Sequence, residues 1–343
     1  MTKKIKKTFF GNIFFDTKQN TKQNQDITQL QKIDFYVRNE ITMKKLIESI
    51  LNYDSFFKTI SPEGEAQLKK TKHGLFIDND YAEDVDDQYI LLNIPSESQL
   101  YFDSFIFEPN MSSKHILHLF ESFHYIASAI EILYKQGIIH FDIRPTHIMI
   151  DSNTHTPRIA HFKKSIAIGH VTLEKLKPYF KTTAFSIKNN EIWPLEVYAI
   201  HYFLWISPVT EQENSFVCTK QDIDAIIQLY IQTNKLHSIY SETQLNQLNQ
   251  QCCDFLLKFE SFKKETIIKQ LFNNWKSWDL YSISYMYCNI CNILCLKTKN
   301  AYFIFILKSF FSILCENLHP NPKKRLSLAE TQTKINHILF QLQ

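Results

Sequence analysis

Apolar residues recur at steps of three and four over most of the second half of the chain. Residues 222–235, 243–259, 265–275, 280–297, 301–316 and 328–341 each follow this rhythm, which predicts a series of helices after Trp193. Nearer the start, "FYVRNEITMKKLIESILNY" (35–53) sets Val37, Ile41, Met43, Leu46, Ile47 and Ile50 at helical spacing. The clearest helical pattern is "SSKHILHLFESFHYIASAIEILYKQG" (112–137), with Ser112 or Ser113 as N-cap and Gly137 as the stop. "HGLFIDNDY" (73–81) and "DQYILLNIP" (87–95) read as short strands, and further short strands flank the proline loop of "IIHFDIRPTHIMID" (138–151). The polar, Gln/Asn-rich stretch 16–32 reads as a loop or the start of a helix. No internal repeat is present. The pattern predicts an α+β chain, with a small strand-containing part over 1–96 and a larger helical part over 97–343.

Composition narrows the functional classes. With 343 residues, 44% hydrophobic and 14% aromatic, the chain can bury the core of one large or two linked domains. Five glycines are too few for several glycine-rich phosphate loops. A net charge of +3, spread along the chain, demands no nucleic acid. The basic N-terminus lacks a signal-peptide core, and the most apolar run, 301–314, is interrupted by Lys308 and falls short of a membrane span. These features predict a soluble, cytoplasmic protein with no membrane partner, whose seven cysteines stay reduced.

The chemistry concentrates in "GIIHFDIRPTHIMIDSNTHTPRIAHFKKSI" (137–166). "HFDIRPTH" places His140, Asp142, Arg144 and His147 in one loop, and "PRIAHFKKSI" follows with His161, Phe162 and Lys163. Farther on stand "EIWPLEVY" with Glu196, "WDLYSIS" with Asp279, and "ENLHPNPKKRLSLAET" with Arg325. Taken in order, these resemble the eukaryotic-type protein kinase family, in wording most like the divergent Ser/Thr kinases of large DNA viruses. The resemblance spans residues 138–340. It implies a two-lobe kinase-like fold, ATP with a divalent metal as cofactors if the protein is active, and a protein substrate or partner. It also implies an ion pair between Glu196 and Arg325. The interval from Glu196 to Asp279 is longer than is usual in that family, and its amphipathic pattern predicts a helical insertion over about 200–275.

Residue by residue, the resemblance gives Asp142 the proton-accepting role and Arg144 a hold on the γ-phosphate. Glu40 matches the helix glutamate of the nucleotide site, with Lys18 or Lys22 as its partner by distance. The two metal positions carry His147 and His161 in place of asparagine and aspartate. Imidazole suits Zn²⁺, Cu²⁺ or Ni²⁺ better than Mg²⁺, which prefers oxygen donors. A transition-metal site at His147 and His161, with Asp142 as third donor, is one reading; loss of the metal site is the other. The expected function is a pseudokinase that binds or scaffolds a protein, and the alternative is an atypical Ser/Thr kinase.

Three other features carry less chemistry. Cys288, Cys291 and Cys295 in "CNICNILC" share one helix face and read as core thiols. Gly11 is the sole glycine where a phosphate loop would lie. Thr172, Thr182 and Thr183 lie where an activation segment would be, but the arginine that would receive a phosphate is replaced by Phe141, which reads as core.

Overall fold

A computed structural model describes residues 5–7, 13–15, 27–32, 34–71, 74–78, 89–94, 100–102, 113–151, 154–181, 193–207 and 217–340. The chain forms two compact units, Met1–Phe102 with Thr146–Ser165, and Asp103–Pro145 with Ile166–Gln343. Each unit is therefore built from two stretches of chain, where the sequence reading expects a single division after Ser96.

In the first unit, β1 (Ile5–Lys7), β2 (Ile13–Phe15), β3 (Ile27–Lys32), β5 (Ser61–Thr71), β6 (Gly74–Asp78) and β7 (Tyr89–Ile94) form an antiparallel sheet in the order β1-β2-β3-β7-β5-β6. The expected strands at 73–81 and 87–95 are β6 and β7. The expectation of a loop or helix start across 16–32 is corrected at its end, because residues 27–32 pair with β7 in continuous register. A second, mixed sheet runs β4 (Phe57–Lys58), β11 (Pro157–Ala160), β10 (Ile148–Ile150) and β8 (Leu100–Tyr101).

Helix α1 (Phe35–Glu48) belongs to this unit. Asp34 caps it by accepting the Val37 N–H at 2.9 Å. Val37, Met43 and Ile47 are buried, as the spacing predicts, while Leu46 stays exposed at the margin of the apolar stripe. A one-turn helix, α2 (Tyr53–Phe56), leads into β4, where Phe57 meets the Phe162 ring edge-on at 5.9 Å.

Among its described residues the second unit is helical apart from a two-stranded ribbon of β9 (Ile138–Ile139) and β12 (Ile166–Ala167). Its first helix, α3 (Ser113–Lys135), ends where Gly137 turns into the left-handed region at φ +67°. The N-cap expected for it at Ser112 lies outside the described residues. After α4 (Leu173–Leu176) come α5 (Leu195–His201), α6 (Lys220–Thr233), α7 (Glu242–Leu256), α8 (Lys264–Phe272), α9 (Trp278–Lys297), α10 (Ala301–Glu316) and α11 (Leu328–Phe340). The periodic segments thus fold as the helices expected. Helices α6 and α7 open with capping boxes, Thr219 with Asp222 and Ser241 with Gln244, so their starts are written locally.

Helix α9 is the axis of this unit. From Trp278 to Cys288 every residue is buried, on all sides of the helix, which marks an element surrounded by others. Three of its buried hydroxyls are paired, Tyr281 with Tyr230 at 2.7 Å, Ser284 with Asn317 at 3.0 Å, and Tyr287 with Ser122 at 2.8 Å, while the Trp278 indole N–H is buried without a hydrogen-bond partner among the described residues. All seven cysteines are free thiols; Cys288 and Cys291 are buried in α9 and burial pushes both thiols up, which suits the core role expected of them. Among the described residues one helix is long and apolar enough to cross a membrane by length and composition, 114–135. Of its apolar window 56% is buried inside the protein, as in a core helix.

Candidate functional site

Strand β9 delivers the chain into a loop whose backbone is held in an unfavourable shape. Phe141 sits at φ +67°, a region that costs a bulky side chain roughly 1–2 kcal/mol. Four buried side chains fix it there. The Asp279 carboxylate, in the first turn of α9, accepts the N–H groups of His140 and Phe141, each at 2.9 Å. The Trp193 indole N–H donates to the Phe141 carbonyl at 2.7 Å. The Phe141 ring stacks on Trp193 at 5.2 Å and also meets Phe180 and Trp278, so this residue is core, as expected. Burial pushes the Asp279 carboxyl up to about 7, against the pull of the two N–H bonds.

The residue that this clamp presents is Asp142. Its N–H donates to His140 Nδ1 at 3.3 Å, and its carboxylate, nearly buried, pairs with the Arg144 guanidinium at 2.8 Å. The structure therefore brings the two expected catalytic residues into contact. A carboxylate held this way can accept a proton, with a fixed cation beside it to offset negative charge.

Glu196 and Arg325 meet as the sequence predicts. Two parallel bonds, Nη1 to Oε1 at 2.8 Å and Nη2 to Oε2 at 2.6 Å, join side chains that are both fully buried. The remaining guanidinium donors go to the His319 and Pro320 carbonyls and to Ser277 Oγ. A buried pair is tolerable only when satisfied in this way. Because it links the start of α5 to the approach to α11, its role is architectural.

The histidine pair lies in the first unit. His147 is buried at the end of a one-turn 3-10 helix, Pro145–His147, while His161 follows β11 at φ +65°. Their ring centroids are 4.9 Å apart, so the two positions expected to face each other do so. Helix α1 is fastened beside them. Glu40 accepts the Phe162 N–H at 2.9 Å, and the Asn39 amide donates to the carbonyls of Lys163 at 2.9 Å and Ser165 at 2.8 Å. Burial pushes the Glu40 carboxyl up to about 7, offset by the Phe162 N–H and the Lys163 charge.

No family model matches this chain. No curated protein matches it either.

As a metal site the pair is incomplete. Among the described residues no group of three or more His, Cys, Asp or Glu side chains is gathered to hold an ion. Two imidazoles fall short of the three or four protein ligands of a zinc site, and they are the wrong chemistry for Mg²⁺. Gly11, Lys18, Lys22, Thr182 and Thr183 lie outside the described residues. Thr172 is the N-cap of α4, its hydroxyl accepting the Lys175 N–H. The sequence reading missed Asn39 and Trp193 as positioning residues. Trp193 was visible only as part of "EIWP", and Asn39 had no signal beyond its place next to Glu40.

Proposed function

We propose that this chain is a protein-kinase-like, two-lobe protein that works as a pseudokinase, binding or scaffolding a protein partner rather than transferring phosphate. The observation that carries this reading is the histidine pair. Phosphoryl transfer depends on divalent cations that bridge the phosphates, and oxygen ligands hold those cations. Two adjacent imidazoles stand at the positions that the kinase resemblance assigns to that task, with no third donor grouped beside them among the described residues. The buried Glu196–Arg325 pair and the Asp279 clamp support the fold part of the proposal, since both maintain architecture and neither needs chemistry.

A second reading, an atypical Ser/Thr kinase, is favoured by Asp142. Its carboxylate keeps a rigid backbone and a cation at 2.8 Å, which suits a proton acceptor. The two readings part in one experiment. Phosphate transfer from labelled ATP, to the protein itself and to a generic basic substrate, is measured with Mg²⁺, Mn²⁺ and Zn²⁺ beside Asp142→Asn. The pseudokinase reading expects no transfer above the variant, both proteins being folded by circular dichroism. Transfer that the substitution abolishes overturns it in favour of the kinase.

A further inference from the structure

The stretch from Leu280 to Cys315 contains no carboxylate, while Lys297, Lys299 and Lys308 bring three positive charges to its middle. That middle is the turn between α9 and α10. Apolar side chains stand out from it: Leu296 is 88% exposed, Phe305 59% and Tyr302 48%, with Ile293 exposed one turn before Leu296. These are not core residues left uncovered. The inward positions Leu294, Ile306, Leu307 and Phe310 are all buried, so the helices are packed without them. The turn is also ordered, because Asn300 accepts the Tyr302 and Phe303 N–H groups and caps α10. Helices α9 and α10 pack against one another along their length, so the last turns of α9 and the first turns of α10 form one surface.

We propose that this turn docks the protein onto an anionic lipid bilayer surface. The chemistry of the tip decides the occupant. Protruding leucine and aromatic side chains flanked by lysines match the bilayer interface, where apolar groups enter the headgroup boundary and lysines meet anionic lipid. A leucine as exposed as Leu296 forms a knob, and a bilayer receives a knob without a preformed pocket. The expectation of no membrane partner rests on the lack of a long apolar run in the sequence and concerns spanning, not docking at the surface. The inference stands apart from the pseudokinase reading, since it uses none of the same residues.

Flotation with vesicles tests it, using phosphatidylcholine alone or with phosphatidylserine, and the full-length chain. Wild-type protein is expected to float with the anionic vesicles and not with the neutral ones, and to be released by salt. Leu296→Ser with Phe305→Ser is expected to weaken binding about tenfold or more. Lys297→Glu with Lys299→Glu and Lys308→Glu is expected to abolish it. Both variants change exposed residues, and unchanged thermal melting verifies that they fold. Equal flotation on both vesicle types, no flotation, or flotation indifferent to these substitutions overturns the proposal. So does a wild-type dimer in light scattering that the apolar variant dissociates while no vesicle binds, because the occupant is then a second copy.

Discussion

Phe141 shows how a single residue is made to hold a strained shape. Its left-handed backbone is opposed by sterics and kept by one buried carboxylate, one indole and a stack of rings. Glu40 is a second case, a carboxyl that the fold prefers uncharged. Its value rises from 4.5 to about 7 on folding, so between these values the unfolded chain binds fewer protons than the folded one. Stability from this group is present below pH 4.5 and falls as the pH rises to about 7, by on the order of 3 kcal/mol. Glu40→Gln keeps an acceptor for Phe162 and removes the titration. Urea unfolding at pH 5 and pH 8 should show the wild type losing that stability relative to the variant; parallel curves would refute it. Arg325→Met strands the Glu196 charge and should cost about 3–5 kcal/mol in the same measurement. The double variant with Glu196→Gln should lose less than the two single changes combined.

Elements differed in how well the sequence announced them. The helices of the second unit were legible because a 3.6-residue period repeats over many turns and ends at recognisable caps. Strand β5 was not. "SPEGEAQLKKT" is polar, includes Pro62, and shifts register between Pro62 and Gly64, so the alternation that marks a strand never appears. Strand β3 was hidden for a related reason, since "ITQLQK" ends a Gln/Asn-rich stretch and exists by pairing with β7. At the end of α3, Gly137 allows a clean test of local backbone cost. A Cβ added there meets nothing within 4 Å, yet φ is +67°. Gly137→Ala should therefore destabilise by about 1 kcal/mol from backbone strain alone, read as a lowered urea midpoint at unchanged slope. Gly137→Asn should cost less, because asparagine tolerates that region.

For the whole molecule, the pseudokinase reading predicts no thermal response to nucleotide. A nucleotide present at a hundred times its dissociation constant stabilises a protein by about 2.7 kcal/mol, enough to raise the melting temperature by several degrees. Millimolar Mg²⁺–ATP is expected to leave the melting curve in place, and a shift of several degrees would count against impaired nucleotide use. The sequence by itself determined the α+β class, the helices of the second half, the glycine stop after α3, and the kinds of side chain available in the loop from His140 to His147. Order of motifs also paired Glu196 with Arg325. What only the tertiary structure decided is which distant groups meet. Asp279 reaches the Phe141 N–H across 138 positions, and Glu40 reaches the Phe162 N–H across 122. Contacts of that span leave no periodic trace in the chain, because they are fixed by the packing of whole elements and not by the preferences of neighbouring residues.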